Sequence, residues 1–271
     1  MSHYSARQNF YREINCPDEQ IYLAKAALYI AREEYPELEV SKYLNMLDRI
    51  AEEIEILLPE KRYPLKTIET INQFLYDNLG FKGNKQDYYN PCNSFLNDVL
   101  DRRTGIPIAL SLVYLEIAKR LNFPMVGIGL PGHFLIRPTF EGVGIFVDPF
   151  NGGEILFEQD CEALLSKLYQ QNVQLESNFL APVTNRQFLA RMLSNLKFIY
   201  LNQHQLQKAL ATIERILLLF PTAASELRDR GLLFYQLGEK SKAKQDLEFY
   251  LAMAPQATDV DAIRQFLAQM G

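Results

Sequence analysis

Apolar residues recur at helical spacing through the first 80 positions. Ile21, Ala24, Leu28 and Ala31 share one face, and so do Tyr43, Leu47, Ile50, Ile54 and Leu57 in the stretch that follows. Charged residues fill the gaps, and Pro17, Pro36, Pro59 and Pro64 stand where helices should start or stop. A third stretch, Ile68, Ile71, Leu75 and Leu79, ends at the turn sequence GFKGN. Residues 1–80 therefore predict an N-terminal helical region. Its Glu-rich segment AEEIEILLPE reads as a solvated face.

From Tyr88 the pattern changes. YYNPCNSFLNDVLDRRTG mixes turn residues with short apolar runs, and GIPIALSLVYLEIAKRLNFP follows. Pro107 suits the first turn of a helix, where its missing N–H costs nothing and its fixed φ favours entry. From Ile108 to Ala118 that helix has almost no polar face, so it should be buried. After Pro124 the chain reads MVGIGL, HFLIRP and GIFVDPF, three β-branched or aromatic runs separated by turn residues. A buried helix followed by a small antiparallel sheet predicts an α+β core over residues 81–180.

The last third repeats itself. Tyr200 and Phe234, Ala209 and Ala243, Ile213 and Leu247, Leu217 and Leu251, and Pro221 and Pro255 each lie 34 apart. A 34-residue period of paired helices, with small residues at the crossing and Pro ending the second helix, is similar to the tetratricopeptide signature. Residues 185–271 thus predict two such repeats, closed by a capping helix that Thr258 and Asp261 open.

Composition narrows the classes. With 271 residues and 48% hydrophobic content the chain can build real cores. Neither a secretory leader nor a membrane span is predicted, because the N-terminus is charged throughout and the longest apolar run contains Glu116. Cys16, Cys92 and Cys161 lack the spacing of a disulfide framework or a cysteine zinc site, which points to the cytoplasm. The net charge of −5 is acidic over the first two thirds and mildly basic over the last, with no basic stripe for nucleic acid.

The candidate chemistry centres on GHFLIRPTFEGVGIFVDPFNGG. His133 opens one strand and Asp148 ends another, as the base and orienter of a nucleophilic triad would. The same two residues can equally bond across adjacent strands with no reaction. In a Cys-His-Asp site the thiol often stands at a helix N-terminus, where the dipole lowers its pKa. GIPIALSLVYLEIAKRLNFP, GHFLIRP and VDPFNGG resemble the core of the transglutaminase-like superfamily, a papain-like fold. More closely, NSFLNDVLDRRTGIPIALSLVYLE with PGHFLIR and DPFNGG resembles the SirB-type bacterial family, which couples that core to C-terminal tetratricopeptide repeats. The resemblance implies that His133 and Asp148 are the superfamily histidine and aspartate, and that the nucleophile position is Pro107. Proline has neither a side-chain nucleophile nor a backbone donor.

Two readings follow. The first is a non-catalytic, regulatory protein on a degenerate transglutaminase-like core, without cofactor or metal, since His3 and His204 lie in unrelated segments. Its repeats would bind a protein or peptide partner, with an acidic one suited to the arginines, along a concave face bearing Arg191, Asn195 and Phe198 from one copy and Arg228, Leu232 and Tyr235 from the next. The second is an amidase or acyltransferase with a displaced nucleophile, Cys92 first and Ser94 second, using His133 as base and Asp148 as orienter. Ser111, one turn into the buried helix, is a weaker substitute.

Overall fold

The structure is a computed structural model that describes residues 2–140, 142 and 144–270, with side chains from residue 6 onward. It divides into two compact units, Met1–Met192 and Leu193–Gly271.

The first unit opens with helices α1 (Ser2–Ile14), α2 (Leu23–Ala31), α3 (Val40–Leu57) and α4 (Pro64–Asn72), the last running on into a π-helical turn, Gln73–Asn78. In α3 the buried stripe is Tyr43, Leu47, Ala51 and Ile54. Leu57, expected on that face, is 56% exposed, because steps of 4, 4 and 3 rotate the stripe past it and the helix ends there.

A two-residue strand β1 (Lys82–Gly83), a 3-10 turn (Pro91–Asn93) and α5 (Leu96–Arg102) follow, and β2 (Thr104–Gly105) pairs parallel with β1. Helix α6 (Pro107–Arg120) starts at the proline, as its sequence predicts, and buries eleven of its fourteen residues. It packs against α2, α3, α5 and the sheet. A helix apolar on nearly every side can only sit inside.

The sheet is an antiparallel meander of β3 (Met125–Ile128), β4 (Leu135–Pro138), β5 (Phe146–Asp148) and β6 (Glu154–Leu156). The first three are the predicted runs. β6 lacks a recognisable pattern of its own and is recruited by pairing with β5. Helix α7 (Glu158–Tyr169) packs Cys161 and Leu165 against Ile128, Leu135 and Phe146. Burial pushes the Cys161 thiol up to about 12.

Two long-range polar contacts tie the unit together. Glu116, 3% exposed inside α6, accepts the Ala24 N–H in the first turn of α2 and is clamped by Arg120, which also holds Asp48 and Tyr22. Asp18 accepts the backbone N–H groups of Asn185 and Arg186, so it caps helix α8 (Asn185–Asn202) from 167 residues upstream.

The second unit contains the end of α8, then α9 (Leu206–Leu219), α10 (Ala224–Gln236), α11 (Lys240–Met253) and α12 (Val260–Met270). The 34-residue pairs occupy equivalent buried sites: Ala209 and Ala243 are fully buried, as are Ile213 and Leu247. At Gly231 an added Cβ would lie 2.8 Å from Leu247 Cγ, which is how α10 and α11 approach so closely. α12 closes the array, with Ile263 packed on Leu247 and Tyr250. The fold is α+β, with repeat helices at the C-terminus.

Candidate functional site

β4 and β5 run antiparallel with Ile136 opposite Val147, so the turn that leads into β4 meets the end of β5, and His133 lies in that turn, two residues before the strand it was expected to open. There His133 Nε2 and Asp148 Oδ2 lie 2.8 Å apart, at 6% and 1% exposure. Asp148 does more than orient the ring. Its Oδ1 accepts the backbone N–H groups of Phe150 (3.0 Å) and Asn151 (3.2 Å), capping the 3-10 turn Pro149–Asn151, and its Oδ2 accepts Asn151 Nδ2 at 2.8 Å. Burial pushes its pKa up, but the hydrogen bond and charge of His133, with the Asn151 donors, outweigh burial and hold it below the usual carboxylate value.

An ionised carboxylate at Nε2 accepts the proton that this nitrogen carries, which turns Nδ1 away from Asp148. No described residue hydrogen-bonds Nδ1. A general base in such a pair would turn that nitrogen to its nucleophile. Phe150 lies edge-on to the imidazole, with ring centroids 5.9 Å apart, and Tyr88 lies edge-on to Phe150. Gly83 makes room for this, since a Cβ there would fall 2.5 Å from the Phe150 carbonyl oxygen.

Other polar groups close the site from the helical side. Tyr114 donates to Asn72 Oδ1 at 3.0 Å, and Asn72 Nδ2 donates to the Gly153 carbonyl at 2.7 Å. Burial pushes the Tyr76 phenol well above its ordinary value, and Tyr114 and Asp148 push the same way. Sequence reasoning missed Asn72, Tyr76 and Asn151. Only Asn151 left a trace, in the turn motif DPFNGG.

Pro107 is buried at the first position of α6, with the preceding Ile106 N–H bonded to the Asn93 carbonyl at 3.1 Å. Ser94, next to that carbonyl, is 2% exposed, and its Oγ has no hydrogen-bond partner. The same holds for Ser111 Oγ. Cys92 faces a different set. Its Sγ is 3.8 Å from the Tyr35 hydroxyl, which donates to Asp98 at 2.6 Å, and burial raises the pKa of that carboxylate. The polar neighbours of this thiol are thus a phenol and a carboxylate, and its hydrogen-bond partner is not the His133 imidazole.

The residues expected to bind a partner are spread over two helices. Phe198 is 49% exposed on α8, where Arg191 and Asn195 are half-buried. On α10 the groups are engaged internally. Arg228 binds Asp229 and Asp259 at 2.8 Å each, Leu232 packs on the cluster around Leu247, and Tyr235 stacks edge-on against Phe266 of α12. Among the described residues no group of three or more His, Cys, Asp and Glu could hold a metal ion. The side chain of His3 lies outside that description. No helix among them is long and apolar enough to cross a membrane.

The description "Transglutaminase-like superfamily" matches residues 41–194, and "Tetratricopeptide repeat" matches residues 196–268. A UPF0162 protein of Xylella fastidiosa (strain 9a5c) is 38% identical over 261 residues, 93% of this chain and 91% of the relative. A UPF0162 protein of Vibrio cholerae is 30% identical, with 86% of each chain covered. F-box only protein 21 of Homo sapiens is 32% identical over 184 residues, 64% of this chain but 28% of that protein. No solved structure matches.

Proposed function

The chain belongs to the transglutaminase-like superfamily and to the UPF0162 family, and from that premise we propose that it is a non-catalytic protein-binding protein. The observation that carries this is Pro107, buried at the helix start where the resemblance puts the nucleophile. The acidic and phenolic surroundings of Cys92 support the same reading. His133 and Asp148 then act as scaffold: one carboxylate caps a turn, pins a strand end and holds a buried imidazole by its Nε2.

Binding is assigned to the repeats. Phe198 is the exposed aromatic anchor of the expected face, the kind of residue on which interface energy concentrates. An acidic partner would have to displace Asp229 and Asp259 from Arg228, so apolar contact at Phe198 precedes any charge recognition there.

Iodoacetamide labelling read by mass spectrometry tests the core. Pro107→Cys should create a thiol alkylated at a rate that falls about tenfold or more when His133→Ala is added, because the thiolate needs its base. Wild type should show no His133-dependent labelling of Cys92 and no ammonia release from a glutamine peptide. Either activity in wild type overturns the reading. For the repeats, Phe198→Ala should abolish co-purification of a bound protein while leaving the helical signal intact.

A second reading rests on the orphan Ser94 hydroxyl beside the start of α6, as the nucleophile of an acyl transferase. Fluorophosphonate labelling lost in both Ser94→Ala and His133→Ala would favour it.

A further inference from the structure

Helix α6 has a second end, and a cavity of about 500 Å3 opens there. Leu115, Phe123, Met125, Val183 and Phe188 give it apolar walls, and Lys119 stands at its side. Its size and lining are those of a ligand site. Neither His133 nor Asp148 lines it, so this cavity is separate from that pair.

The strand edge along its floor says what it fits. β3 is the outer strand of its sheet. Val126 and Ile128 turn their backbone groups toward β4, opposite Arg137 and Leu135, so Met125 and Gly127 turn theirs outward. Part of this edge is already covered. Pro182 sits opposite Ile128 in antiparallel pairing, and the Val183 N–H donates to the Gly127 carbonyl at 2.9 Å. The chain then leaves the edge to begin α8 at Asn185. Among the described residues no partner meets the Met125 N–H and carbonyl or the Gly127 N–H.

We propose that this open edge takes the C-terminal segment of a partner protein as a further antiparallel strand. A strand in line with residues 182–183 runs toward the N-terminal end of β3, which the chain reaches directly from the end of α6. Its terminal carboxylate therefore arrives on the Lys119 side, and its last apolar side chain enters the cavity. Lys119 suits this role. Its ammonium rests 5.4 Å from the Tyr22 ring centroid, and no carboxylate among the described residues pairs with it. The other charge on the cavity wall, Glu116, is neutralised by Arg120 at 2.6 Å. In such strand addition the main chain supplies affinity and the pocket supplies selectivity. This site is independent of the repeats and of the fate of the triad.

The test is fluorescence anisotropy of a fluorescein-labelled hexapeptide, Thr-Val-Thr-Val-Thr-Leu with a free C-terminal carboxylate, titrated with the full chain. Its C-terminal amide and decanoate serve as competitors. The acid should bind saturably, and affinity should fall about tenfold or more for the amide and in Lys119→Glu, as the loss of a charge-assisted contact requires. Met125→Pro should have the same effect. It deletes an outward donor but spares the β3–β4 ladder, since proline is tolerated where a strand N–H faces solvent. Leu115→Trp, at a half-exposed helix position, should abolish binding by filling the cavity, and His133→Ala should not change it. Absence of saturable binding, full binding by Met125→Pro, or decanoate binding as tight as the peptide would overturn strand addition.

Discussion

Replacing Asp148 tests the scaffold role directly. The carboxylate is 1% exposed and accepts four hydrogen bonds, two from backbone N–H groups of the following turn and two from the side chains of His133 and Asn151. Asp148→Ala uncaps the turn, at about 1 kcal/mol, and strands the buried donors of His133 and Asn151, at about 1–3 kcal/mol each, so a loss of about 4 kcal/mol is expected once the site relaxes. Asp148→Asn should lose about half as much, because its oxygen still caps the turn while its NH2 faces donors. The assay is urea unfolding followed by circular dichroism. Hydrogen exchange of β4 and β5 peptides assigns the transition to the N-terminal unit, since two units need not unfold together. The pH dependence has a definite sign. A carboxylate whose folded pKa is depressed stabilises fully above its unfolded value, about 3.9, and the stabilisation is lost as pH falls through the folded value. The gap between wild type and Asp148→Asn should thus stay level above about pH 5 and shrink below about pH 4. A loss under about 1 kcal/mol for the alanine variant, or a gap that ignores acidification, would refute the reasoning.

Three further outcomes follow from packing and capping. Glu116→Ala should cost about 3–5 kcal/mol, seen as a lower melting temperature, because it frees the Ala24 N–H and leaves Arg120 without its buried partner. A cost near zero would mean that Asp48 and Tyr22 alone satisfy the arginine. Gly231→Ala sets two effects against each other: helix propensity favours alanine by about 1 kcal/mol, whereas overpacking against Leu247 and the Ala243 carbonyl costs about 1–3 kcal/mol. Net destabilisation in thermal melts is expected, and net stabilisation would show that Leu247 gives way. Asp18→Ala should cost about 1–2 kcal/mol and speed hydrogen exchange at Asn185–Phe188, and unchanged exchange there would deny it the cap.

Much of the fold was legible because its signals are local. Pro107 followed by eleven almost wholly apolar residues could only open a buried helix, and a 34-residue period could only stack. The elements that escaped were those with no signal of their own. β6 is three residues that become a strand because β5 offers a ladder, and Leu57 looks like core until the stripe of α3 rotates past it.

The candidate site divides in the same way. His133 and Asp148 could be named from residue type and their place in the apolar runs, and the resemblance points to Pro107 as the position where a nucleophile would be expected. The sequence by itself determined which groups are present and where they stand along the chain. Only the tertiary structure decided what they touch: Cys92 lies against Tyr35 and Asp98, Arg228 is held by Asp229 and Asp259, and Met125 turns its backbone to an open cavity edge. Contacts between residues far apart in the chain depend on how helices and strands are brought together, and no local pattern encodes that distance.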